Sequence, residues 1–204
     1  SKKKDRMQTF RYGIAPYAVL LIVLAALVGI EPHLSGAILI MGAGAVMMLV
    51  GGIHWRWVGL AMGAAGLLLY LVLGVIGYNA SRIEMWHDPW LDYYGKGYQL
   101  AQSLITIGSG GLLGVGLGRG RQKFLYLPEQ YNDFIFSVVC EELGLIGACV
   151  IMIIFSLLIL RGFWIALHAK DRFGTLMVVG IMTLISLQTF LNIAVVTGLI
   201  PATG

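Results

Sequence analysis

Long apolar runs alternate with short polar turns along most of the chain. The runs occupy residues 14–30, 36–53, 58–77, 134–160 and 174–195. A helix needs about 20 apolar residues to cross a bilayer, and each run meets or approaches that length. The pattern therefore predicts an all-α fold: a polytopic transmembrane helix bundle with about five spans, forming a single membrane domain over residues 1–204.

One long polar interval, residues 78–133, separates the third run from the fourth. It begins with tryptophans and tyrosines among charges at 81–94, a composition typical of a membrane interface. Residues 97–107 have the pattern of a short amphipathic helix. Residues 108–120, here called the glycine tract, contain seven glycines and are expected to be flexible unless they pack against something. So long a connection predicts a functional segment.

Composition supports the membrane assignment. Hydrophobic residues make up 58% of the chain, charged residues make up 12%, and the mean hydropathy is +0.85. These values lie far from those of a soluble domain. The net charge of +4 therefore gives no reason to expect a nucleic-acid partner, and its distribution along the chain is more informative.

The positive charges concentrate in three segments that fall on one side if the spans alternate. These segments contain Lys2, Lys3, Lys4, Arg6 and Arg11, then Arg56, then Arg161, Lys170 and Arg172. Because basic residues favour the cytoplasmic side, the N-terminus is predicted to be cytoplasmic and the loop 78–133 to be exterior. The charges within that loop are balanced, which suggests either a binding site or an ordinary solvated loop.

Metal and nucleotide sites are not predicted. The histidines and cysteines show no metal-ligand spacing, and Cys140 and Cys149 lie on one predicted helix at a spacing unsuited to a mutual disulfide. The glycine tract contains no phosphate-loop motif for a nucleotide. Its glycines, followed by basic residues, suit either a phosphate cradle or a purely structural role.

Residues 97–148, which include "GSGGLLGVGLGRGRQKFLYLPEQYNDFIFSVVCEELGLIGA", resemble the signature region of the SEDS proteins (shape, elongation, division and sporulation) of the FtsW, RodA and SpoVE types. "RIEMWHDPW" upstream, the turn "EPHLSGA" and the final "TGLIPATG" resemble further family segments. The resemblance extends over essentially the whole chain. It corresponds to the fifth to ninth family spans, so the chain is expected to be a piece of a longer protein.

The resemblance implies an enzyme, a peptidoglycan glycosyltransferase of the bacterial cytoplasmic membrane. Family members polymerise lipid II, a disaccharide-pentapeptide on undecaprenyl pyrophosphate, at the exterior face. The expected partners are lipid II and lipid-linked glycan, membrane lipids and a class B penicillin-binding protein. No soluble cofactor is implied, and a divalent cation at the pyrophosphate is left open. The resemblance also leaves open whether the enzyme acts in division, elongation or sporulation.

The resemblance also implies a set of site residues. Asp133 matches the family's essential carboxylate and is the expected catalytic residue, because a sugar hydroxyl needs a general base to act as a nucleophile. An N-cap for the following helix is a compatible role. The expected substrate-binding residues are Glu129, Lys123, Arg119, Arg121, Arg82, Glu141 and Glu142. The cations among them would stabilise the diphosphate leaving group or, as an alternative, anchor to lipid headgroups.

The membrane depth of Glu141 and Glu142 depends on where the fourth span begins. If it begins at Phe134, the two carboxylates lie about 12 Å inside, where an acid is costly unless it is functional or paired. If it begins at Leu143, they lie at the interface. The favoured interpretation is a partly sheltered first segment, with at least one glutamate facing a polar cavity.

Two alternative functions stay open at this point. A transporter of lipid-linked precursor would also have many spans and sheltered glutamates, but it would not need a carboxylate at the exterior mouth. A non-catalytic membrane scaffold would tolerate the loss of Asp133. An assay of full-length protein with fluorescent lipid II distinguishes the polymerase from the transporter, and growth and assembly with Asp133→Ala test the scaffold.

Overall fold

The computed structural model describes residues 14–30, 34–70, 80–95, 97–120 and 134–201. Within these ranges the regular structure is entirely helical. The helices are α1 (Ala15–Ile30), α2 (Leu34–Val50), α3 (Trp55–Tyr70), α4 (Ala80–His87), α5 (Tyr98–Gly110), α6 (Ile135–Leu167) and α7 (Arg172–Val196). The predicted all-α class is confirmed.

Helices α6 and α7 are, by length and composition, suited to crossing a membrane. Two shorter apolar helical stretches, Ala15–Ala25 and Ser35–Val50, lie in α1 and α2. The outer surface of α6 is strongly apolar and includes Ile153, Ile154, Leu157 and Leu160, each more than half exposed. Large apolar side chains on a long helix are stable in this arrangement when hydrocarbon surrounds them. The chain is a membrane protein.

Helix bounds differ from the apolar runs at several ends. Helix α2 ends at Val50, and the backbone then turns through Gly51 and Gly52, whose φ of 100° suits glycine. Helix α6 continues past residue 160 to Leu167. In its last turns the Arg161 guanidinium lies 4.2 Å from the centroid of the Trp164 ring. A helix can therefore continue beyond the run that defines a span.

The chain divides into two compact units, and the first comprises Ser1–Tyr78, Ile159–Gln188 and Thr203–Gly204. Among its described residues, a small apolar core is formed by Ile14, Ala45, Ile53 and Val58. Glycines allow close approach in this unit: a Cβ added to Gly42 would lie only 2.8 Å from Leu187 Cδ1. Small residues at helix contacts are the usual means of tight packing in a membrane.

The second unit comprises Asn79–Leu158 and Thr189–Ala202. It contains α4, α5, the glycine tract, the first part of α6 and the end of α7. Phe134 and Val196 form a buried apolar cluster in it, with Ile107, Phe136, Val138 and Val195 packed around them. The Trp86 indole N–H donates a hydrogen bond of 2.7 Å to the carbonyl oxygen of Gly198, which holds α4 against the chain that follows α7.

Helix α5 lies where the sequence predicts a short helix, and it packs within the second unit. Its buried residues are Leu100, Ala101, Gln102, Ser103, Thr106 and Gly110. Half of this set is polar, so apolar burial alone does not explain how α5 is held. Buried hydroxyls and amides need hydrogen-bond partners. Thr106 donates to the Gln102 carbonyl within α5, Gln102 donates to the Tyr93 hydroxyl, and Ser103 bonds to residues of two other helices.

Candidate functional site

Helix α6 is interrupted at Gly144, which has φ 68° and ψ −174°. This conformation is nearly restricted to glycine. In a continuous helix, the N–H of Leu145 would donate to the carbonyl of Glu141, and the N–H of Ile146 to that of Glu142. The interruption breaks both bonds and separates a segment at 135–143 from a longer one at 145–167.

The glycine tract replaces the broken helix bonds with its own backbone. The N–H groups of Leu145 and Ile146 donate to the carbonyls of Gly111 at 3.0 Å and Leu112 at 3.2 Å. In return, the carbonyls of Glu141 and Glu142 accept hydrogen bonds from Val115 at 2.9 Å and Gly116 at 3.0 Å. All four groups exposed by the interruption are satisfied by one short segment.

These four hydrogen bonds between the glycine tract and α6 are here called the backbone exchange. The exchange requires a backbone without side chains at its centre. A Cβ added to Gly114 would lie 2.6 Å from the Gly144 nitrogen and would also contact the Glu142 carbonyl. No larger residue fits there without displacing the tract from the helix. The glycine tract is therefore a packed structural element in the region 111–120, and the expected flexibility is absent because packing supplies the missing constraint.

The packed tract lies against the two glutamates of α6. Glu141 is only 3% exposed and Glu142 is half-buried. A Cβ added to Gly120 would lie 2.7 Å from Glu141 Oε2 and 3.1 Å from Glu142 Oε1. Arg119, next to Gly120 in the chain, is exposed, and its N–H donates to the Gly116 carbonyl at 3.1 Å. Three predicted substrate-binding residues thus lie on the tract and the segment that it binds.

The other predicted site residues fall elsewhere. Arg82 belongs to helix α4. Asp133, the expected catalytic residue, lies outside the described residues, as do Glu129, Lys123 and Arg121. Description of the chain resumes at Phe134, which is buried. Within the described ranges, no group of three or more His, Cys, Asp or Glu side chains is arranged to hold a metal ion.

Sequence reasoning missed a pair of buried serines. Ser103 of α5 and Ser137 of α6 are both 0% exposed, and their Oγ atoms are 2.7 Å apart. Ser103 Oγ also donates a hydrogen bond of 2.8 Å to the carbonyl of Val196, the last residue of α7. The available signal was one hydroxyl inside each apolar stretch, "AQSLI" and "FIFSVV", but sequence alone gave no reason to pair them.

The geometry supplies one anion-binding side chain and two carboxyl groups on segments that support each other. Backbone hydrogen bonds fix the glycine tract to α6 at its interruption, and rigid support of this kind is what a binding or catalytic constellation needs. Arg119 carries an exposed guanidinium suited to an anionic group. Glu141 is buried and Glu142 is half-buried, and both side chains lie near Gly120, the residue after Arg119.

Comparison with known proteins gives consistent matches. The family model for FtsW, RodA and SpoVE, described as "Cell cycle protein", matches residues 1–204. The chain is 45% identical over 205 residues to the "Probable peptidoglycan glycosyltransferase FtsW" of Geobacter sulfurreducens, covering 100% of this chain and 54% of the relative. It is 42% identical over 207 residues to "Stage V sporulation protein E" of Bacillus subtilis, covering 100% of this chain and 56% of that protein.

Two further matches extend the comparison. The chain is 40% identical over 195 residues to "Peptidoglycan glycosyltransferase MrdB" of Escherichia coli K12, covering 94% of this chain and 52% of that protein. A solved structure described as "Structural coordination of polymerization and crosslinking by a peptidoglycan synthase complex" superposes with a TM-score of 0.74 at 26% identity. The superposition covers 95% of this chain and 54% of that one.

The chain spans about half the length of the curated relatives that it matches. Within that span the matches are continuous, and the predicted resemblance is confirmed. Because the family model matches every residue from 1 to 204, the chain belongs to the FtsW/RodA/SpoVE family.

Proposed function

We propose that the protein is a peptidoglycan glycosyltransferase that polymerises lipid II into glycan strands. The observation that carries the proposal is the backbone exchange between the glycine tract and α6, which holds the tract that contains Arg119 against the helix segment that contains Glu141 and Glu142. The names of the relatives from Geobacter sulfurreducens and Escherichia coli support the same activity.

The reaction joins two lipid-linked sugars. The 4-hydroxyl of one sugar attacks the anomeric carbon of another, the new glycosidic bond forms, and the bond to the polyprenyl pyrophosphate breaks. The hydroxyl loses its proton in this step, and we assign Asp133 as the general base that accepts it. Glu129, four residues earlier in the sequence, is assigned to orient the substrate hydroxyl.

The departing pyrophosphate develops negative charge that cations stabilise. Arg119 is exposed at the end of the packed glycine tract and is suited to bidentate contact with phosphate. We assign Arg121, Lys123 and Arg82 to the same task. Glu141 and Glu142 are assigned to hold the polar part of the substrate. These assignments are supported by the charges of the side chains and by the approach of Glu141 and Glu142 to Gly120, the residue after Arg119.

A polymerisation assay tests the proposal directly. Full-length protein is purified and given fluorescent lipid II, and the products are separated on a gel. Wild type is expected to make glycan chains and Asp133→Ala to make none. Glycan chains from Asp133→Ala would overturn the mechanism. If wild type only moves lipid II across vesicles, the protein is a transporter; if Asp133→Ala supports growth and assembly, it is a scaffold.

We also propose a class B penicillin-binding protein as the partner that crosslinks the new strand. Support comes from the superposed neighbour, which is described as a complex coordinating polymerization and crosslinking. Co-purification from membranes with a tagged transpeptidase, followed by the assay above, tests this pairing. An unchanged polymerisation rate and no co-purification would reject it.

The proposed location is the bacterial cytoplasmic membrane, with the N-terminus of the chain cytoplasmic and the loop 78–133 exterior. Tyr94 is 93% exposed and Lys170 is exposed, so cysteines at these positions would be accessible to reagents. In a background with Cys140 and Cys149 replaced by alanine, Tyr94→Cys should react with an impermeant maleimide in intact spheroplasts. Lys170→Cys should react only after permeabilisation, and the reverse result would invert the orientation.

We propose that the reaction needs no soluble organic cofactor. Activity should persist after exhaustive dialysis of the purified protein. Titration with a chelator, followed by addition of magnesium, decides whether a divalent cation assists the diphosphate.

A further inference from the structure

The buried pair Ser103 and Ser137 forms a bridge between three helices of the second unit. Ser103 lies on α5, Ser137 in the first turns of α6, and Val196 at the end of α7. The two Oγ atoms are 2.7 Å apart, and Ser103 Oγ lies 2.8 Å from the Val196 carbonyl oxygen. We call this chain of hydrogen bonds the serine bridge.

The number of protons on a serine hydroxyl decides which group donates in each hydrogen bond of the bridge. A serine hydroxyl has one proton to donate. Ser103 gives its proton to the Val196 carbonyl, so Ser137 must be the donor in the bond between the two hydroxyls. The Val196 carbonyl belongs to the last turn of α7, where carbonyl groups lack helical partners. The bridge therefore satisfies a helix end as well as both serines.

The bridge ties the first turn of α6 to α5 and to the end of α7. Ser137, Ser103 and Val196 are each 0% exposed, and Phe134 is 3% exposed and packs in the same cluster as Val196. The N–H of Ser137 donates to the Phe134 carbonyl at 3.0 Å. Apolar packing alone permits sliding and rotation, whereas a buried hydrogen bond has a defined length and angle. The hydroxyls thus add directionality that the apolar cluster lacks.

Phe134 follows Asp133 directly in the sequence. We propose that Ser103 and Ser137 are positioning residues for the general base, acting through the buried first turn of α6 that begins at Phe134. This inference rests on the proposed function, because it assigns to the two serines a part in the same reaction. Neither serine need touch substrate, and displacement of a catalytic group by about 1 Å can reduce a rate about a hundredfold.

The test measures kcat and KM for lipid II with full-length protein in lipid, normalised to folded protein. Ser137→Ala removes one bond and leaves Ser103 bound to Val196, so we expect kcat to fall about tenfold with KM changed less than about twofold. Ser103→Ala leaves two buried groups unsatisfied and should reduce kcat further. Ser137→Cys keeps a weak S–H donor and should give an intermediate kcat.

A matched control comes from a serine on the same helix as Ser137. Ser156 of α6 is exposed and donates a hydrogen bond of 2.8 Å to the Met152 carbonyl within its own helix. Ser156→Ala should retain wild-type kcat. A Ser137→Ala kcat equal to this control overturns the inference, as does a rise in KM alone or a melting temperature that falls while kcat per folded molecule does not.

The same assay separates this inference from the proposed function. If wild type makes glycan, Asp133→Ala makes none and the bridge variants match the control, only the positioning role fails. If wild type makes no glycan, the proposed function fails and the inference fails with it. If Ser137→Ala does not fold, Ser137→Cys decides between the two outcomes, because its thiol keeps a weak donor at the bridge.

Discussion

The carbonyl oxygen of Glu141 accepts a hydrogen bond of 2.9 Å from the backbone N–H of Val115, where a continuous helix would use the N–H of Leu145. The glycine tract thus completes the backbone of α6 at its interruption. The same bonds determine where the Glu141 side chain begins, so the geometry of the candidate site depends on segments far apart in sequence. Substitutions of these glycines therefore test the geometry of the candidate site.

Replacement of Gly144 should destabilise the protein strongly. Its φ of 68° strains any side chain, and an added Cβ would contact the backbone of Gly114 and lie 2.5 Å from the Leu112 carbonyl oxygen. We expect Gly144→Ala to cost about 2–3 kcal/mol, measured by thermal unfolding in detergent. Gly111→Ala is the matched comparison, since Gly111 has φ 55° but open space around its Cβ position. It should cost about 1 kcal/mol, and equal costs would contradict the exchange.

Substitution of Gly120 should disturb the site without changing its charge. A Cβ at this position would approach Glu141 Oε2 to 2.7 Å and Glu142 Oε1 to 3.1 Å, and both carboxylates would have to move. We expect Gly120→Ala to reduce polymerisation of lipid II about tenfold or more. Gly108→Ala on α5, where nothing lies within 4 Å, should have wild-type activity. Full activity of Gly120→Ala would exclude the glutamates from the site.

The two glutamates should differ in their sensitivity to substitution. Glu141 is buried and Glu142 is half-buried, so only the first is fully enclosed by protein. Glu141→Ala removes a buried polar group and leaves a gap, and we expect a loss of stability of about 2–3 kcal/mol together with lower glycan synthesis. Glu142→Ala should cost about 1 kcal/mol or less. Thermal unfolding and the polymerisation assay measure both, and the reverse order would contradict the burial argument.

Loss of the Arg119 charge should weaken substrate binding. Arg119 is exposed at the end of the packed tract, and a guanidinium there can pair with a diphosphate. We expect Arg119→Ala to raise KM for lipid II about fivefold to tenfold and to reduce the salt dependence of binding. Arg172, exposed at the start of α7 and on the predicted cytoplasmic side, provides a control. If Arg172→Ala and Arg119→Ala have equal effects, general attraction to anionic lipid explains both.

Much of the fold follows from local pattern. Helices α1, α2, α6 and α7 lie at the apolar runs 14–30, 36–53, 134–160 and 174–195, with ends that differ by a few residues. The candidate site was harder to predict from the sequence. Arg119, Glu141 and Glu142 were identified as charges in a family-like segment, but the approach of both glutamates to Gly120 was not predicted, because contacts between distant segments leave no periodic signal. The roles of Asp133, Glu129, Lys123 and Arg121 stay predictions.

The start of the fourth span shows what the sequence predicts and what only the structure decides. Sequence left two starting points, Phe134 and Leu143, because both give enough apolar length. The structure has helical backbone from Ile135 but interrupts it at Gly144. The segment from 145 to 167 alone is about 34 Å long, which suffices for a bilayer. The preceding segment is then free to carry Glu141 and Glu142 in a sheltered position.

By itself, the sequence determined that this is a helical membrane protein, because apolar length and backbone hydrogen bonding within a helix are local properties, and its motifs resembled those of the FtsW/RodA/SpoVE family. Only the tertiary structure decided that the glycine tract closes the interruption of α6 and that Ser103 meets Ser137. Both features satisfy buried polar groups with partners from distant segments. Such pairings are fixed by packing in three dimensions, and no local pattern of residues specifies them.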